Sequence, residues 1–232
     1  MLLAGFDLET DGKAGEENLG ITCAAIYEYD TKAKGGATYL FHGAEMDNGE
    51  YAPKMSEEDL KRLIIALEKY ENLVAWNGVS FDLYVIYEAV EDPDFKKRVQ
   101  NLGKNLIDPG WGMLCDRGYM ISLAAAAEGL GVQGKMEDMD GLKAIDMWEE
   151  GREAQEIVLK YVEQDAIATI NVLVAALDIH GIPWTSKSGK SQFWSFNGIN
   201  MRGEKALEMP RPNTAWMDDP RDPYEESAWM EL

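Results

Sequence analysis

The stretch "GFDLETDG", residues 5–12, follows an apolar opening and sets two carboxylates, Asp7 and Glu9, one residue apart. Side chains alternate between faces in an extended chain, so Asp7 and Glu9 point one way while Phe6 and Leu8 point the other. Two like charges on one face repel unless something positive sits between them. A hard divalent cation is one answer, since Mg²⁺ takes oxygen ligands and is often held by one or two carboxylates plus substrate phosphate. The other is a pair of solvated acids at a strand end. The chain repeats the spacing at Asp92/Asp94 and Asp138/Asp140, in stretches that read as polar loops, so spacing alone does not decide between the two.

The 232 residues, 46% of them hydrophobic, suffice for one sizeable core, and one domain with a tail is expected. No run approaches the ~18 apolar residues of a membrane span, and "MLLAGF" is too short and lacks the basic flank of a signal peptide. A soluble, cytoplasmic protein with no membrane partner is expected. Cys23 and Cys115 form no C-x-x-C pair, which argues against a disulfide framework or a zinc site. Lys and Arg number 22 against 42 Asp and Glu, a formal charge of −20. That balance argues against broad, sequence-independent adhesion to nucleic acid, which normally rests on a positive surface. It leaves room for an enzyme that grips a phosphodiester through bound metal and a local basic patch.

Three β-rich stretches, "LLAGFDLET", "ITCAAIYEYD" and "GATYLFHG", predict an antiparallel meander. "SEEDLKRLIIALEKY" predicts a helix, with Ser56 as N-cap and Leu60, Leu63, Ile64 and Leu67 on one face. "NLVAWNG" and "KNLIDPG" read as short strands, the second stopped by Pro109, which makes five in all. Between them "SFDLYVIYEAVED" returns to helical spacing, and "ISLAAAAEGLG" reads as a short helix ended by glycines. The longest helix spans about Ala154 to His180, where 27 residues contain no Pro or Gly. Strands followed by alternating helices and strands imply an α/β domain with a mixed sheet.

Two further positions carry chemistry. Asp82 follows the turn at Asn77 and Gly78 and opens a helix at the rim of the sheet, where an acid also suits the helix dipole. Tyr161 and Asp165 lie four residues apart on one face of the long helix. Asp165 is flanked by Val162, Ala166, Ile167 and Ala168, where an unpaired carboxylate is costly. A cation or a Tyr–Asp hydrogen bond would serve it.

D-x-E on the first strand, N-x-x-x-F-D after a later strand and Y-x-x-x-D on a late helix, in that order, resemble the DEDD superfamily of 3′–5′ exonucleases. The tyrosine matches its DEDDy, DnaQ-like branch; the histidine branch has His where this chain has Lys160. The resemblance covers about residues 1–180 and implies a ribonuclease H-like fold, here with a mixed five-stranded sheet flanked by helices. It implies two divalent cations, Mg²⁺ or Mn²⁺. Asp7 would bridge both, Glu9 and Asp165 would help hold the ion carrying the attacking water, Asp82 would act on the second, and Tyr161 would orient the water. Leu8, Thr10, Asn77 and Phe81 would flank the terminal nucleotide, with core packing an alternative for Leu8 and Phe81. Asp108 lacks the usual following hydroxyl residue and is given no catalytic role. The implied activity is removal of nucleotides from 3′ ends of single-stranded DNA or RNA, with DNA favoured. A catalytically weak binding module on the same scaffold is the alternative.

Residues 1–182 are thus read as the exonuclease domain, 183–212 as a basic aromatic extension and 213–232 as an acidic tail. In the extension Lys187, Lys190, Arg202, Trp184, Phe193 and Trp194 are candidates for a nucleic-acid grip; a strap packing its aromatics onto the domain fits as well. "SGKS" at 188–191 is no phosphate loop, because the required upstream glycine is Trp184. The tail, with Trp216 and Trp229, is expected to be extended; under the binding-module alternative it docks a replication or repair partner.

Overall fold

The computed structural model describes residues 1–136, 138–196 and 201–231. Its sheet is built around β1 (Leu2–Thr10), flanked by antiparallel β2 (Ile21–Asp30) and parallel β4 (Leu73–Val74); β3 (Gly35–His42) lies antiparallel outside β2. The order is β3-β2-β1-β4, a mixed sheet of four strands. The expected fifth strand is a correction: Ile107 makes only isolated bridges, parallel to Val74 and antiparallel to Arg202. Asp108 and Pro109 turn the chain into α4 (Pro109–Arg117), with the Asp108 side chain accepting from the Trp111 N–H.

The alternation read from β1 decides what packs on each face. Ala4, Phe6 and Leu8 bury into a core with α1 (Glu57–Leu67) and α2 (Asp82–Ala89). Ser56 caps α1 in a reciprocal capping box with Asp59. The opposite face of β1 and β2 lies under α7 (Arg152–Ile179), whose Val158, Val162 and Ala166 pack on Cys23 and Ala25 of β2. A Cβ on Gly5 would stand 2.3 Å from the Ala166 carbonyl oxygen. Only glycine lets α7 cross β1 so closely, which puts Asp165 over the face carrying Asp7 and Glu9. The β1–β2 register also slips between Glu9 and Thr10. An irregularity of that kind re-aims the side chains beside it.

Between β4 and α7 the chain forms α3 (Pro93–Asn105), α4, α5 (Leu123–Leu130) and α6 (Gly141–Trp148). Asp92 caps α3 and Asp140 caps α6, so both loop repeats of the D-x-E spacing contribute helix caps. After α7, β5 (Gly181–Thr185) and β6 (Ser191–Ser195) form a hairpin packed on α5 and α7. Trp184 and Trp194 are buried there, and only Phe193 of the three aromatic grip candidates is exposed. Part of the basic extension, residues 197–200, lies outside the described residues.

The acidic tail also departs from expectation. After α8 (Gly203–Ala206), which belongs to the basic extension, it runs back over the body as a strap through α9 (Pro223–Glu226) and a 3-10 turn at Ala228–Met230. Trp229 is buried, donates its indole N–H to the Val79 carbonyl and receives the Gln100 amide on its own carbonyl. Trp216 stays 69% exposed. No helix among the described residues is long and apolar enough to cross a membrane.

Candidate active site

The sheet and α7 bring Asp7, Glu9 and Asp165 together, with one carboxylate oxygen from each within 4.8 Å of the others. Glu9 and Asp165 are buried and Asp7 is partly exposed. Burial pushes all three carboxyl groups above their ordinary range. Asp165, Asp82 and Glu9 add to this for Asp7, and burial plus Asp165 push Glu9 up to about 8. Asp82 approaches from the other side of β1: it is buried, and its Oδ1 accepts the Leu8 N–H at 3.2 Å. Burial and the charge of Asp108 push Asp82 up to about 7.

The counter-charge comes from Lys135, in the loop after α5, which was missed as a site residue in the sequence. Its Nζ lies 2.6 Å from Asp165 Oδ2 and 3.0 Å from the Tyr161 hydroxyl. Burial works against its positive charge, but attraction to Asp165 and Asp7 outweighs that and raises its pKa. For Asp165 burial raises and Lys135 lowers, with a net rise. The only signal in the sequence was a lysine between a glycine-rich turn and an acidic run, "GVQGKMEDMD", which carries no spacing rule.

One lysine does not satisfy this cluster. Asp165 Oδ1 is buried and has no hydrogen-bond partner among the described residues, a costly state for a carboxylate oxygen. An all-carboxylate set with an orphaned oxygen suits a hard cation such as Mg²⁺ or Mn²⁺. The residues present therefore fit a divalent ion.

Asp108 organises the loop that delivers Asp82. It is fully buried and accepts the N–H groups of Asn77, Val79 and Trp111 at 2.9, 3.1 and 2.9 Å. Asn77 sits at φ 69°, in the left-handed region, where asparagine is among the more tolerant residues. These bonds hold the turn from which α2 starts with Asp82.

A cleft of about 520 Å³ opens onto the acids, lined by Asp7, Trp76, Asn77, Tyr119, Lys135 and the strap residue Arg221, among others. Of the residues expected to touch substrate, Asn77 lines it. Leu8 is buried in the β1 core, and Phe81 packs against the same core. Thr10 is buried and donates its hydroxyl to the Gly12 carbonyl. Lys187 and Lys190 stand exposed at the β5–β6 turn and are not among the residues lining the cleft.

A family model described as RNase_H superfamily matches residues 4–177, three quarters of the chain. The chain belongs to the RNase H superfamily. No curated protein matches it in sequence. Among solved structures, this RNase H superfamily chain is similar to the crystal structure of cell-death related nuclease 4 (CRN-4), at 9% identity and a TM-score of 0.36. That similarity covers 88% of this chain and 83% of the other. Residues 4–177, which the family model matches, include Asp7, Glu9, Asp82 and Asp165.

Proposed function

We propose that the chain is a metal-dependent 3′–5′ exonuclease of the DEDDy, DnaQ-like branch. It would hydrolyse phosphodiester bonds at 3′ ends of single-stranded nucleic acid, DNA in preference to RNA, and release 5′-mononucleotides. Membership of the RNase H superfamily supports a nuclease. The observation that carries the finer reading is the convergence of Asp7, Glu9 and Asp165 beside the Tyr161 hydroxyl, with the orphaned Asp165 oxygen among them.

Asp7, Glu9 and Asp165 would hold the first cation, and Asp82 would serve the second. When bound, such ions neutralise charge growing on the phosphoryl group and make water acidic enough to attack at neutral pH. The chain's own residues do the rest. Tyr161 presents a hydroxyl one helical turn from Asp165, able to accept a proton from water or donate to it and so fix its direction of approach. Lys135, which now holds both groups, keeps the cluster from carrying its full negative charge. Asn77 and Trp76 shape the opposite wall, and the strap narrows the opening, which suits an unpaired end rather than a duplex.

The test is digestion of matched 5′-labelled single-stranded DNA and RNA with Mg²⁺, Mn²⁺ or chelator, alongside Asp7→Ala. A metal-dependent ladder that shrinks from the 3′ end and vanishes in the variant supports the proposal. Cleavage that survives in both Asp7→Ala and Asp165→Ala, or no cleavage of either polymer with either metal, sinks it. Cutting of circular single strands would replace the exonuclease with an endonuclease.

A further inference from the structure

Trp216 is the most exposed large apolar side chain among the described residues, at 69%. It does not hang free. Its indole N–H donates to the Asn213 carbonyl at 3.1 Å, which pins the ring. Its ring centroid lies 6.2 Å from that of Tyr119, at an interplanar angle of 81°. Tyr119 lines the cleft over the acids, as does Met217, the next residue of the strap. An indole with its polar atom satisfied and most of its surface exposed thus stands beside Tyr119 at the edge of the cleft.

The charge on the strap narrows what this platform would receive. Asp219 lines the cleft beside Arg221, and the Arg221 guanidinium is paired with Glu226 and reaches Asn77 Oδ1 at 3.4 Å. In a chain of formal charge −20, such a wall offers a phosphate backbone little net attraction. A nucleobase is uncharged and carries a π-face, so stacking is the attraction left to this surface.

We propose that Trp216, with Tyr119 beside it, is a stacking platform for an unpaired base of single-stranded nucleic acid whose 3′ end lies at the acid cluster. This rests on the nuclease reading above. It assigns the strap to substrate binding, and it explains why a segment outside the family match is folded back over the body.

The experiment uses the full chain carrying Asp7→Asn, so that the probe survives, with Mg²⁺ and a fluorescein-labelled dT12 followed by anisotropy. Trp216→Ala is expected to raise Kd by roughly 5- to 150-fold, the range for losing one base–aromatic stack, and Trp216→Phe to recover most of it. A 12-mer of abasic sites is expected to bind the parent and Trp216→Ala alike. The slope of log Kd against log salt is expected to be unchanged by Trp216→Ala, since no phosphate contact is lost. Equal Kd values for parent and Trp216→Ala on dT12 overturn the platform, and so does an equal loss on the abasic strand, which would mark a structural role. Cleavage by the wild-type chain separates the two ideas. Cleavage with no Trp216 effect sinks the platform alone, whereas neither binding nor cleavage of DNA or RNA sinks both.

Discussion

Stripping divalent cations from this chain should make its stability fall as pH rises, and the cluster sets how far. Glu9 has an ordinary pKa of 4.5 and is pushed up to about 8 in the fold, chiefly by burial and then by Asp165. At 1.36 kcal/mol per pH unit, that span alone is worth on the order of 5 kcal/mol. Because Glu9, Asp7 and Asp165 titrate against one another, the cost belongs to the group rather than to Glu9. The folded pKa lies above the unfolded one, so between the two the folded state holds protons that the unfolded chain has released. Stability is therefore full below about pH 4.5 and is lost as pH climbs through 8.

A cation that binds only the folded cluster acts in the opposite direction. At 100 times its Kd it stabilises by about 2.7 kcal/mol, which for a domain of this size raises Tm by about 5–11 °C. The assay is thermal unfolding from pH 5 to 9 in chelator, Mg²⁺ or Mn²⁺. Tm in chelator should fall between pH 5 and 8, and the rise on adding metal should be larger at pH 8 than at pH 5. General acidic repulsion could mimic the first trend, so Glu9→Gln is the decisive comparison: in chelator at pH 8 it should be more stable than the parent, and its response to metal should shrink. A Glu9→Gln protein no more stable than the parent, with an undiminished metal response, would refute the reasoning.

Tyr161→Phe removes only the hydroxyl beside Lys135 and Asp165, and should lower cleavage by roughly 10- to 100-fold, in the range of groups that orient a metal site, with Tm little changed; turnover measured on a labelled strand checks it. Lys135→Met leaves Asp165 without its cationic partner and, because the lysine side chain is 34% exposed and screened by solvent, should destabilise the chelated protein by only on the order of 1–3 kcal/mol, with metal restoring more than it does in the parent. Denaturant melts with and without Mg²⁺ read both halves of that expectation. Asp108→Ala strands the N–H groups of Asn77, Val79 and Trp111, and at about 1–3 kcal/mol for each buried donor should cost at least ~3 kcal/mol; a urea midpoint within error of the parent would remove Asp108 from its place as organiser of the Asp82 loop.

The acids were legible because strand alternation and helical spacing are local rules: Asp7 with Glu9, and Tyr161 with Asp165, share faces by backbone geometry alone. Their meeting needed a long-range fact, the crossing of α7 over Gly5, and the family pattern supplied that expectation. Lys135 follows no periodic rule and was invisible for that reason. The errors share another cause. Asp92-Pro93, Asp108-Pro109 and Asp222-Pro223 each start a helix, with Asp as N-cap and Pro in the first turn. That dipeptide is a start signal. Reading Pro109 as the end of a strand produced the fifth strand, and reading the prolines of the tail as marks of extension hid its return to the body. Composition misled in the same region, since an acidic, proline-bearing segment resembles a disordered one until Trp229 finds the pocket beside Gly103.

Charge then constrains how the nuclease reading can work. A polyanion approaching Asp7, Glu9 and Asp165 meets three carboxyl groups whose ionisation is already disfavoured and one lysine committed to Asp165 and Tyr161. Nothing in that arrangement attracts a phosphate before the carboxylates are neutralised, and the exposed lysines of the β5–β6 turn do not line the cleft. Productive binding at the acids therefore depends on cation, whereas stacking on the strap does not. Divalent ions should tighten a strand whose 3′ nucleotide reaches the acids far more than one whose 3′ end is blocked by a bulky group. If both strands gained equally, the cation would be acting by general screening of the −20 chain, and the acid cluster would lose its place as the site where the strand ends.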